Sequence, residues 1–303
     1  MVAARSSGVS SDEGRLTAAY DHCARLARLH YENFPVASLL LPARMRPHIA
    51  AIYAFARTAD DFADEPGRAS GERLALLDDW QRRLDLVAGG GAPARGDDVF
   101  LALADTIERC ELPVHLLSDL LSAFRQDVTV HRYATWNDVL DYCRRSANPV
   151  GRLVLRVAGI RNPHADAASD SVCTALQLAN FWQDFGRDWR SGRLYVPLEE
   201  MAQWGAVESM LGGASLPPEW RRTICACVGR TRALFAGGRP VADMVTGRLR
   251  YELRATWLGG MRILDRVESL DCDTLHVRPT LGARDAAAIF LRTITWRRTR
   301  DRV

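Results

Sequence analysis

Lysine is absent from this chain of 303 residues, so all 40 of its basic residues are arginines. We attribute this bias to genomic base composition rather than to function, although arginine makes bidentate contacts with phosphate that lysine cannot make. The formal net charge of +3 at pH 7 is too small to indicate a nucleic-acid partner. Hydrophobic residues make up 48% and charged residues 25% of the chain, as in an ordinary globular protein.

Several fingerprints of metal and cofactor sites are also missing. The seven cysteines show no CxxC spacing and the seven histidines no HExxH spacing, so a zinc site is not expected. There is no GxGxxG segment, and we therefore expect no NADPH. We interpret the cysteines as reduced thiols of a cytoplasmic protein, most of them small core residues.

No apolar run approaches the ~18 residues that span a bilayer, and the start of the chain does not resemble a secretory leader. Residues 1–14 are small and polar, and we expect them to be disordered. Elsewhere apolar residues recur at three- and four-residue spacing, with glycine and proline between the periodic segments. This predicts one all-α domain over 15–303, a bundle of about ten helices with a central cavity. The predicted helices are 15–32, 44–65, 71–88, 97–110, 113–130, 135–159, 166–191, 218–236, 240–267 and 282–298.

Two acidic segments contain pairs of aspartates four residues apart, Asp60 with Asp64 and Asp184 with Asp188. On a helix this spacing stacks two carboxylates on one face, where they repel each other unless a cation lies between them. Such carboxylates suit Mg²⁺, which keeps several waters and takes further ligands from substrate phosphate. A solvated helix face is the simpler explanation of one pair alone. Because both pairs lie among large aromatic residues, we predict that two facing pairs hold a small Mg²⁺ cluster over one diphosphate.

Polar residues near these pairs are candidates for the same site. Arg57 precedes the first pair by three residues, so its side chain lies on the same helix face. It either forms an intrahelical ion pair or reaches a phosphate oxygen of the substrate. Gln177 and Asn180 extend a polar stripe through the second pair, on a segment otherwise rich in aromatics, which predicts a lined cavity. Arg193 follows the glycine that ends this helix, in a loop from which it can reach a phosphate. Tyr195 either fixes the turn after this helix or only packs against its neighbours.

The segment Ala147-Asn148-Pro149-Val150-Gly151 interrupts a helical pattern. Proline inside a helix removes a backbone hydrogen bond and costs ~3 kcal/mol, and Gly151 weakens the helix further. The segment is therefore either a kinked helix that makes room for a ligand or, more commonly in proteins, a break between two helices.

Together these residues resemble the squalene/phytoene synthase family of all-α isoprenoid synthases, over about residues 20–298. The resemblance rests on YAFxRxxDDxxDE at 53–65 and QxxNxxQDxxxDxxxGRxYxP at 177–197. It implies an isoprenoid diphosphate substrate and Mg²⁺ as the cofactor. The metal ligands that it implies are Asp60, Asp64, Asp184 and Asp188. The residues that it places around the diphosphate are Tyr53, Arg57, Asn180 and Arg193.

Within the family, two departures resemble the hydroxysqualene synthase branch. Residues 31–38 read YENFPVAS where other members have a Ser-Phe-type start, and 147–151 read ANPVG where other members have AGxVG. The HVRP stretch at 276–279, near the end of the chain, also resembles the hydroxysqualene synthase branch. The resemblance implies conversion of presqualene diphosphate to hydroxysqualene in a bacterial route to squalene and hopanoids. It also implies functional coupling to a presqualene diphosphate synthase and a hydroxysqualene reductase.

For that reaction we expect apolar walls around a carbocation and a water admitted near Asn148 or Asn33, which places Asn148 among the catalytic residues. The candidate substrate-binding residues are Asn33, Phe34, Phe55, Val150, Gly151, Gln177, Phe181 and Tyr195. A head-to-head condensing synthase of the same family is the nearest alternative. A non-catalytic family member acting in assembly is a further one, although such a protein should have lost acids from one pair.

Isoprenoid chains are insoluble in water, so peripheral contact with the inner face of the membrane is an option. The arginine-rich end from Arg292 to Arg302 could touch anionic lipid. A solvated tail is the simpler interpretation, and it is the one that the sequence favours.

Overall fold

The structure of the protein is a computed structural model that describes residues 6–29, 41–65 and 67–297, with the backbone alone for 6–12. These residues form thirteen α-helices and two short 3₁₀ helices, Ala43–Met45 and Glu208–Gly212, and they contain no strand, which confirms the all-α prediction. The α-helices are α1 (Ser6–Leu29), α2 (Arg46–Asp64), α3 (Ser70–Ala88), α4 (Asp98–Cys110), α5 (Val114–Thr129), α6 (Trp136–Ser146), α7 (Asn148–Val157), α8 (Pro163–Arg190), α9 (Leu198–Trp204), α10 (Pro218–Gly238), α11 (Val241–Met244), α12 (Gly247–Ser269) and α13 (Ala283–Ile294).

The chain divides into two compact units. Unit 1 comprises Met1–Thr129 and Leu153–Ile160, and unit 2 comprises Val130–Arg152 and Arg161–Val303. The first helix begins at Ser6 and so overlaps the segment 1–14 that the composition predicts to be disordered. The single domain over 15–303 stays a prediction.

The core of unit 1 is built around aromatic residues of three helices. Phe55 of α2 is fully buried, with its ring centroid 6.0 Å from that of Trp80 and 5.9 Å from that of Phe100. The indole Nε1 of Trp80 donates to the carbonyl of Phe55 (3.2 Å). Burying each such side chain stabilises the fold by ~1.5–3 kcal/mol. This face of α2 is therefore fixed in the core.

The core of unit 2 centres on α8, which packs most extensively against α10. Asn162 caps the start of α8 by accepting from the backbone N–H of His164 (2.9 Å), and Pro163 occupies the first turn. Trp182 is fully buried and donates to Thr231 of α10 (2.8 Å). Phe185, one residue beyond Asp184, packs against Trp220. The acidic part of α8 is thus anchored by its own apolar neighbours.

Two predicted helices are divided in the structure. The predicted helix 135–159 consists of α6 and α7, separated at Ala147, which settles the proline-containing segment as a break between helices. The predicted helix 240–267 consists of α11 and α12. None of the helices in the described part of the chain is long and apolar enough to cross a membrane.

The prediction that all cysteines are reduced is wrong for two of them, because Cys225 and Cys272 form a disulfide. They are separated by 47 residues in the chain, but α10 and the turn after α12 bring their Cα atoms to 5.7 Å, which is an ordinary bridging distance. Sequence spacing carries no signal for such a pair. Among the other cysteines, Cys23, Cys143 and Cys227 are buried free thiols, as expected.

Candidate active site

The first pair of aspartates lies at the end of α2. Asp60 is half-buried, and Asp64 is the last residue of the helix and is exposed. Arg57 donates to Asp60 (3.3 Å) and to Asp61 (2.5 Å). Both contacts join residues three or four apart on one helix face, as the spacing predicts. The predicted intrahelical ion pair is therefore present, and the helix itself positions Arg57 beside the first acid.

The Nε atom of Arg57 is buried and has no hydrogen-bond partner among the described residues. Burial alone lowers the pKa of this guanidinium, but the charges of Asp60 and Asp61 more than offset it, and the net pKa is raised. A buried donor without a partner is costly, so this N–H suits an anionic acceptor.

Tyr53 and Phe55 lie further back on α2. Tyr53 is half-buried, and burial raises the pKa of its hydroxyl, with Arg57 opposing and Asp60 adding to the shift. The phenol is therefore a neutral hydrogen-bonding group at physiological pH. Phe55 is enclosed by Trp80 and Phe100, as described above. This packing in the core explains why a large aromatic residue occupies the position. A substrate contact by Phe55 stays a prediction.

The second pair lies on α8, and one of its acids is held by a residue that is distant in the chain. Asp184 is buried, and Asp188 is half-buried one turn later. Asn180 Nδ2 donates to Asp184 Oδ2 (3.2 Å). Arg278 forms a fork on the same carboxylate, with Nε on Oδ1 and Nη2 on Oδ2. A cation therefore already lies against this acid, which is the environment that a buried carboxylate requires.

Arg278 belongs to a segment that sequence reasoning did not connect with α8. This crossing segment (residues 274–279) runs against α8 through several hydrogen bonds. The Thr274 hydroxyl donates to Trp182 O (2.7 Å), and the Gly186 N–H donates to Thr274 O (3.2 Å). Gln183 Nε2 donates to Pro279 O (2.7 Å). The crossing segment thereby delivers Arg278 to Asp184.

Gly186 explains how the backbones come so close. A Cβ built on Gly186 would lie 1.7 Å from Leu275 O, which no real atom tolerates. Glycine within a long helix often marks such an approach. Gly186 is therefore the signal in the sequence for a close approach to α8, whereas the HVRP sequence itself indicates only a family branch.

An aromatic wall adjoins the second pair. Phe181 and Tyr195 stack with ring centroids 3.7 Å apart and an angle of 2° between the planes. Tyr133 and Tyr142 surround them, with centroids 5.8 and 6.0 Å from that of Tyr195. Plain packing of Tyr195, one of its two predicted roles, is thus present. Phe181 and Tyr195 also line a narrow crevice together with Asp188 and Arg193.

The chain leaves α8 as predicted. Gly192 adopts a left-handed conformation (φ 84°) after the helix, and the N–H of Arg193 donates to Asp188 O (2.8 Å). The N–H of Leu194 then donates to His131 O (3.0 Å). These bonds fix the backbone of Arg193 close to the second pair and leave its side chain half-buried.

The start of α7 packs closely on α8. Thr174 donates to Asn148 Oδ1 (2.8 Å), and both side chains are buried. A Cβ on Gly151 would lie 2.3 Å from Ser169 Oγ and 2.5 Å from Cys173 Sγ, so glycine allows the two helices to approach. The structure thus gives Asn148 a fixed orientation and Gly151 a packing role. Their contacts with substrate stay predictions.

Four further predicted residues have no described contact that tests their roles. Gln177 and Val150 are half-buried in unit 2. Asn33 and Phe34 lie outside the described residues. No group of three or more histidine, cysteine, aspartate or glutamate side chains forms a metal cluster within the described ranges. Each acid pair nevertheless offers hard oxygen donors one helical turn apart, the donor type that Mg²⁺ prefers, so the residues present fit this metal.

Comparison with known proteins shows the family of the chain. The family model for squalene/phytoene synthase matches residues 27–285. Hydroxysqualene synthase of Sinorhizobium fredii is 38% identical over 256 residues, covering 83% of this chain and 85% of the relative. The 15-cis-phytoene synthase of Synechococcus elongatus is 30% identical over 275 residues, covering 87% and 88%.

A solved structure of a relative has the same fold. The crystal structure of squalene synthase HpnC from Alicyclobacillus acidocaldarius superposes with a TM-score of 0.79 at 40% identity, covering 84% of this chain and 95% of that one. The likeness extends over most of both chains, and the motifs at 53–65 and 177–197 lie inside the matched range. The chain therefore belongs to the squalene/phytoene synthase family.

Proposed function

We propose that this protein is a hydroxysqualene synthase, which converts presqualene diphosphate and water into hydroxysqualene and diphosphate. The observation that carries the proposal is the higher identity to relatives named hydroxysqualene synthase than to the phytoene synthase. The departures at residues 31–38 and 147–151 and the HVRP stretch at 276–279 support the same branch. Functional coupling to an enzyme that makes presqualene diphosphate and to one that reduces hydroxysqualene is part of the same proposal, because the reaction consumes the first compound and releases the second.

The reaction breaks one carbon–oxygen bond and forms another. Diphosphate leaves with the electron pair of the bond to carbon, and a carbocation remains. The oxygen of a water molecule bonds to that cation and loses a proton, which gives the alcohol. No hydride enters the balance, so NADPH is not required.

The residues near the acid pairs suit the departure of diphosphate. Arg57 has a buried N–H without a partner among the described residues, and Arg193 is held next to Asp188 by its backbone. Fixed donors aimed at a developing negative charge lower the barrier without reorganisation. Tyr53 remains protonated and can donate a hydrogen bond. Asn180 orients Asp184.

The acid pairs would hold the metal. Asp60 with Asp64, and Asp184 with Asp188, would each contribute carboxylate oxygens to Mg²⁺. When bound, Mg²⁺ neutralises charge on the leaving diphosphate as a Lewis acid. Arg278 now neutralises Asp184, and it is available to contact diphosphate once the carboxylate has another cation.

The hydrophobic portion of the substrate needs walls that do not trap the cation early. The stacked rings of Phe181 and Tyr195 provide such a surface, and aromatic faces stabilise a cation by ~0.5–2 kcal/mol. We place the capturing water near Asn148, whose carboxamide is oriented by Thr174. Substitution of Asn148 by glycine should change the product or its rate of formation.

The proposal is tested with purified protein, Mg²⁺ and presqualene diphosphate, without NADPH, and with products identified by mass spectrometry. Farnesyl diphosphate is assayed in parallel. We expect hydroxysqualene from presqualene diphosphate and no product from farnesyl diphosphate. Presqualene diphosphate or a hydrocarbon formed from prenyl diphosphates would instead identify a condensing synthase. No product from either substrate would favour a non-catalytic role.

A further inference from the structure

The last described helix, α13, presents its apolar residues to solvent. Phe290 is 69% exposed, Leu291 61% and Ile294 57%. The residues that it buries, Asp285 and Thr293, are polar. A helix on the surface of a globular protein normally has the opposite arrangement. The outward face of α13, defined here as Phe290, Leu291 and Ile294, therefore requires an explanation.

The orientation of α13 is fixed at both ends. At its start, Asp285 accepts hydrogen bonds from the backbone N–H of Gly282 (3.0 Å), from Arg262 (2.6 Å) and from Arg266 (2.8 Å). Beyond the end of α13, the ring centroid of Trp296 lies 5.4 Å from that of Trp257. The guanidinium of Arg239 lies 4.1 Å from the centroid of the Trp296 ring. Rotating the helix to bury Phe290 would break the buried ion pairs of Asp285, which is strongly unfavourable.

The exposed charged residues of α13 and of the described residues that follow it are arginines. Between residues 283 and 297 the chain contains three arginines and one aspartate. The aspartate is Asp285, which is buried and neutralised by Arg262 and Arg266. Arg284 and Arg292 are exposed on α13 itself, and Arg297 follows it. The outward face is thus an apolar strip accompanied by arginines.

We propose that α13 docks the protein peripherally on an anionic lipid bilayer. Phenylalanine, leucine and isoleucine on one face with arginines beside them are the features of a helix that lies in the interface plane. Twelve residues extend only ~18 Å, so the helix lies on the bilayer and does not cross it. Arginines next to the membrane gain from the negative surface potential.

Charge complementarity favours lipid over a second copy of this chain. A twofold contact through α13 would place the arginines of one copy near those of the other, because such an interface pairs the same patch with itself. An anionic bilayer meets the apolar strip and the arginines at once. The proposal does not depend on which reaction the enzyme catalyses, although a water-insoluble substrate would make membrane docking useful.

The test is co-sedimentation of the full-length protein with lipid vesicles. Vesicles of phosphatidylcholine mixed with phosphatidylglycerol are compared with vesicles of phosphatidylcholine alone. The variant Phe290→Ser/Leu291→Ser removes the apolar strip. The matched control Leu86→Ser/Val207→Ser removes two other exposed apolar side chains, which are 51% and 47% exposed. A third variant, Arg284→Gln/Arg292→Gln, tests the charge.

We expect the wild-type protein and the control to bind anionic vesicles and to bind neutral ones more weakly. The Phe290/Leu291 variant should lose about tenfold in vesicle affinity, since two apolar side chains no longer enter the lipid. The arginine variant should lose its preference for anionic lipid. All variants should keep the wild-type melting temperature, because the changed side chains are exposed.

Three results would overturn the proposal. One is failure of the wild-type protein to bind anionic vesicles. Another is equal loss of binding in the Phe290/Leu291 variant and in the control. The third is a dimer, measured by light scattering, that the Phe290/Leu291 substitutions dissociate while vesicle binding is absent, since the occupant of α13 would then be a second copy.

Discussion

The two acid pairs have the same spacing but different surroundings. In unit 1, the Asp60 side chain is 36% exposed and pairs with Arg57 of the same helix. In unit 2, the Asp184 side chain is 11% exposed and is held by Asn180 and by Arg278, which is 94 residues away in the chain. The contact between Arg57 and Asp60 is a local product of one helix. The contact between Arg278 and Asp184 depends on tertiary structure.

This difference separates two kinds of sequence information. Spacing alone places two carboxylates on one helix face, and it does so equally for both pairs. The strength with which each carboxylate is held depends on burial and on long-range partners, which spacing does not report. We therefore expect changes at the first pair to affect mainly chemistry, and changes at the second to affect chemistry and stability together.

The largest expected effect is the loss of turnover on neutralising one acid. Asp60→Asn and Asp184→Asn should each reduce turnover of presqualene diphosphate by about 10³-fold or more, because several kcal/mol of charge stabilisation depend on the metal. Circular dichroism should be unchanged in both. Asp184→Asn should also lower the free energy of unfolding by about 1 kcal/mol, since it weakens the partly exposed ion pair with Arg278.

Asp79→Asn on α3 is the matched control, because Asp79 forms surface pairs with Arg82 and Arg83 of its own helix. It should leave turnover at the wild-type level. Near-normal activity of Asp60→Asn or of Asp184→Asn would remove that acid from the site.

The next effect concerns the crossing segment. Gly186→Ala should lower the free energy of unfolding by about 3 kcal/mol, because its Cβ would collide with Leu275 O. Gly229→Ala on α10 meets no atom within 4 Å and should raise stability by about 0.5–1 kcal/mol through helix propensity. Denaturant titration measures both. Equal effects of the two substitutions would mean that the close approach of the two backbones does not hold the second pair.

A smaller effect is expected at Arg57. Arg57→Gln should lower kcat/KM by about tenfold, because a fixed positive charge near the diphosphate is lost. The free energy of unfolding should change by no more than about 0.5 kcal/mol, as for other pairs within one helix. Parallel kinetics and thermal unfolding distinguish the two roles of this arginine. Unchanged kcat/KM would leave it as an intrahelical ion pair only.

The smallest effect tests competition at the second pair. Without substrate, Arg278→Gln should raise the affinity for Mg²⁺ by about fivefold, because the metal no longer displaces a guanidinium worth ~1 kcal/mol from Asp184. Isothermal titration calorimetry measures this change. The same experiment on Asp184→Asn/Arg278→Gln should show no gain. A weaker metal affinity in Arg278→Gln would mean that the arginine supports the site instead of competing with the metal.

Much of the fold could be predicted from periodicity and helix breakers. The bounds predicted for α3, α4 and α5 differ from those observed by one residue at each end or less, because their glycine and proline boundaries are strong. The break at Ala147 and the division between α11 and α12 were harder to predict. The apolar period continues through both, and a local backbone change interrupts it.

In the candidate site, too, local patterns predict contacts within one helix but not contacts between distant segments. Both acid pairs, Arg57 and Asn180 follow from helical spacing, and the structure pairs Arg57 with Asp60 and Asn180 with Asp184. The fork of Arg278 and the disulfide of Cys225 with Cys272 join distant parts of the chain, so no local pattern contains them. Gly186 was a readable signal of close approach, but it did not identify the approaching segment.

The measurement that tests the proposed reaction most directly is a single turnover of presqualene diphosphate in heavy-oxygen water, with Mg²⁺ and without NADPH. If water captures the cation, the hydroxyl group of hydroxysqualene carries the heavy-oxygen label. An unlabelled alcohol, whose oxygen would come from diphosphate, or a hydrocarbon product would contradict the account.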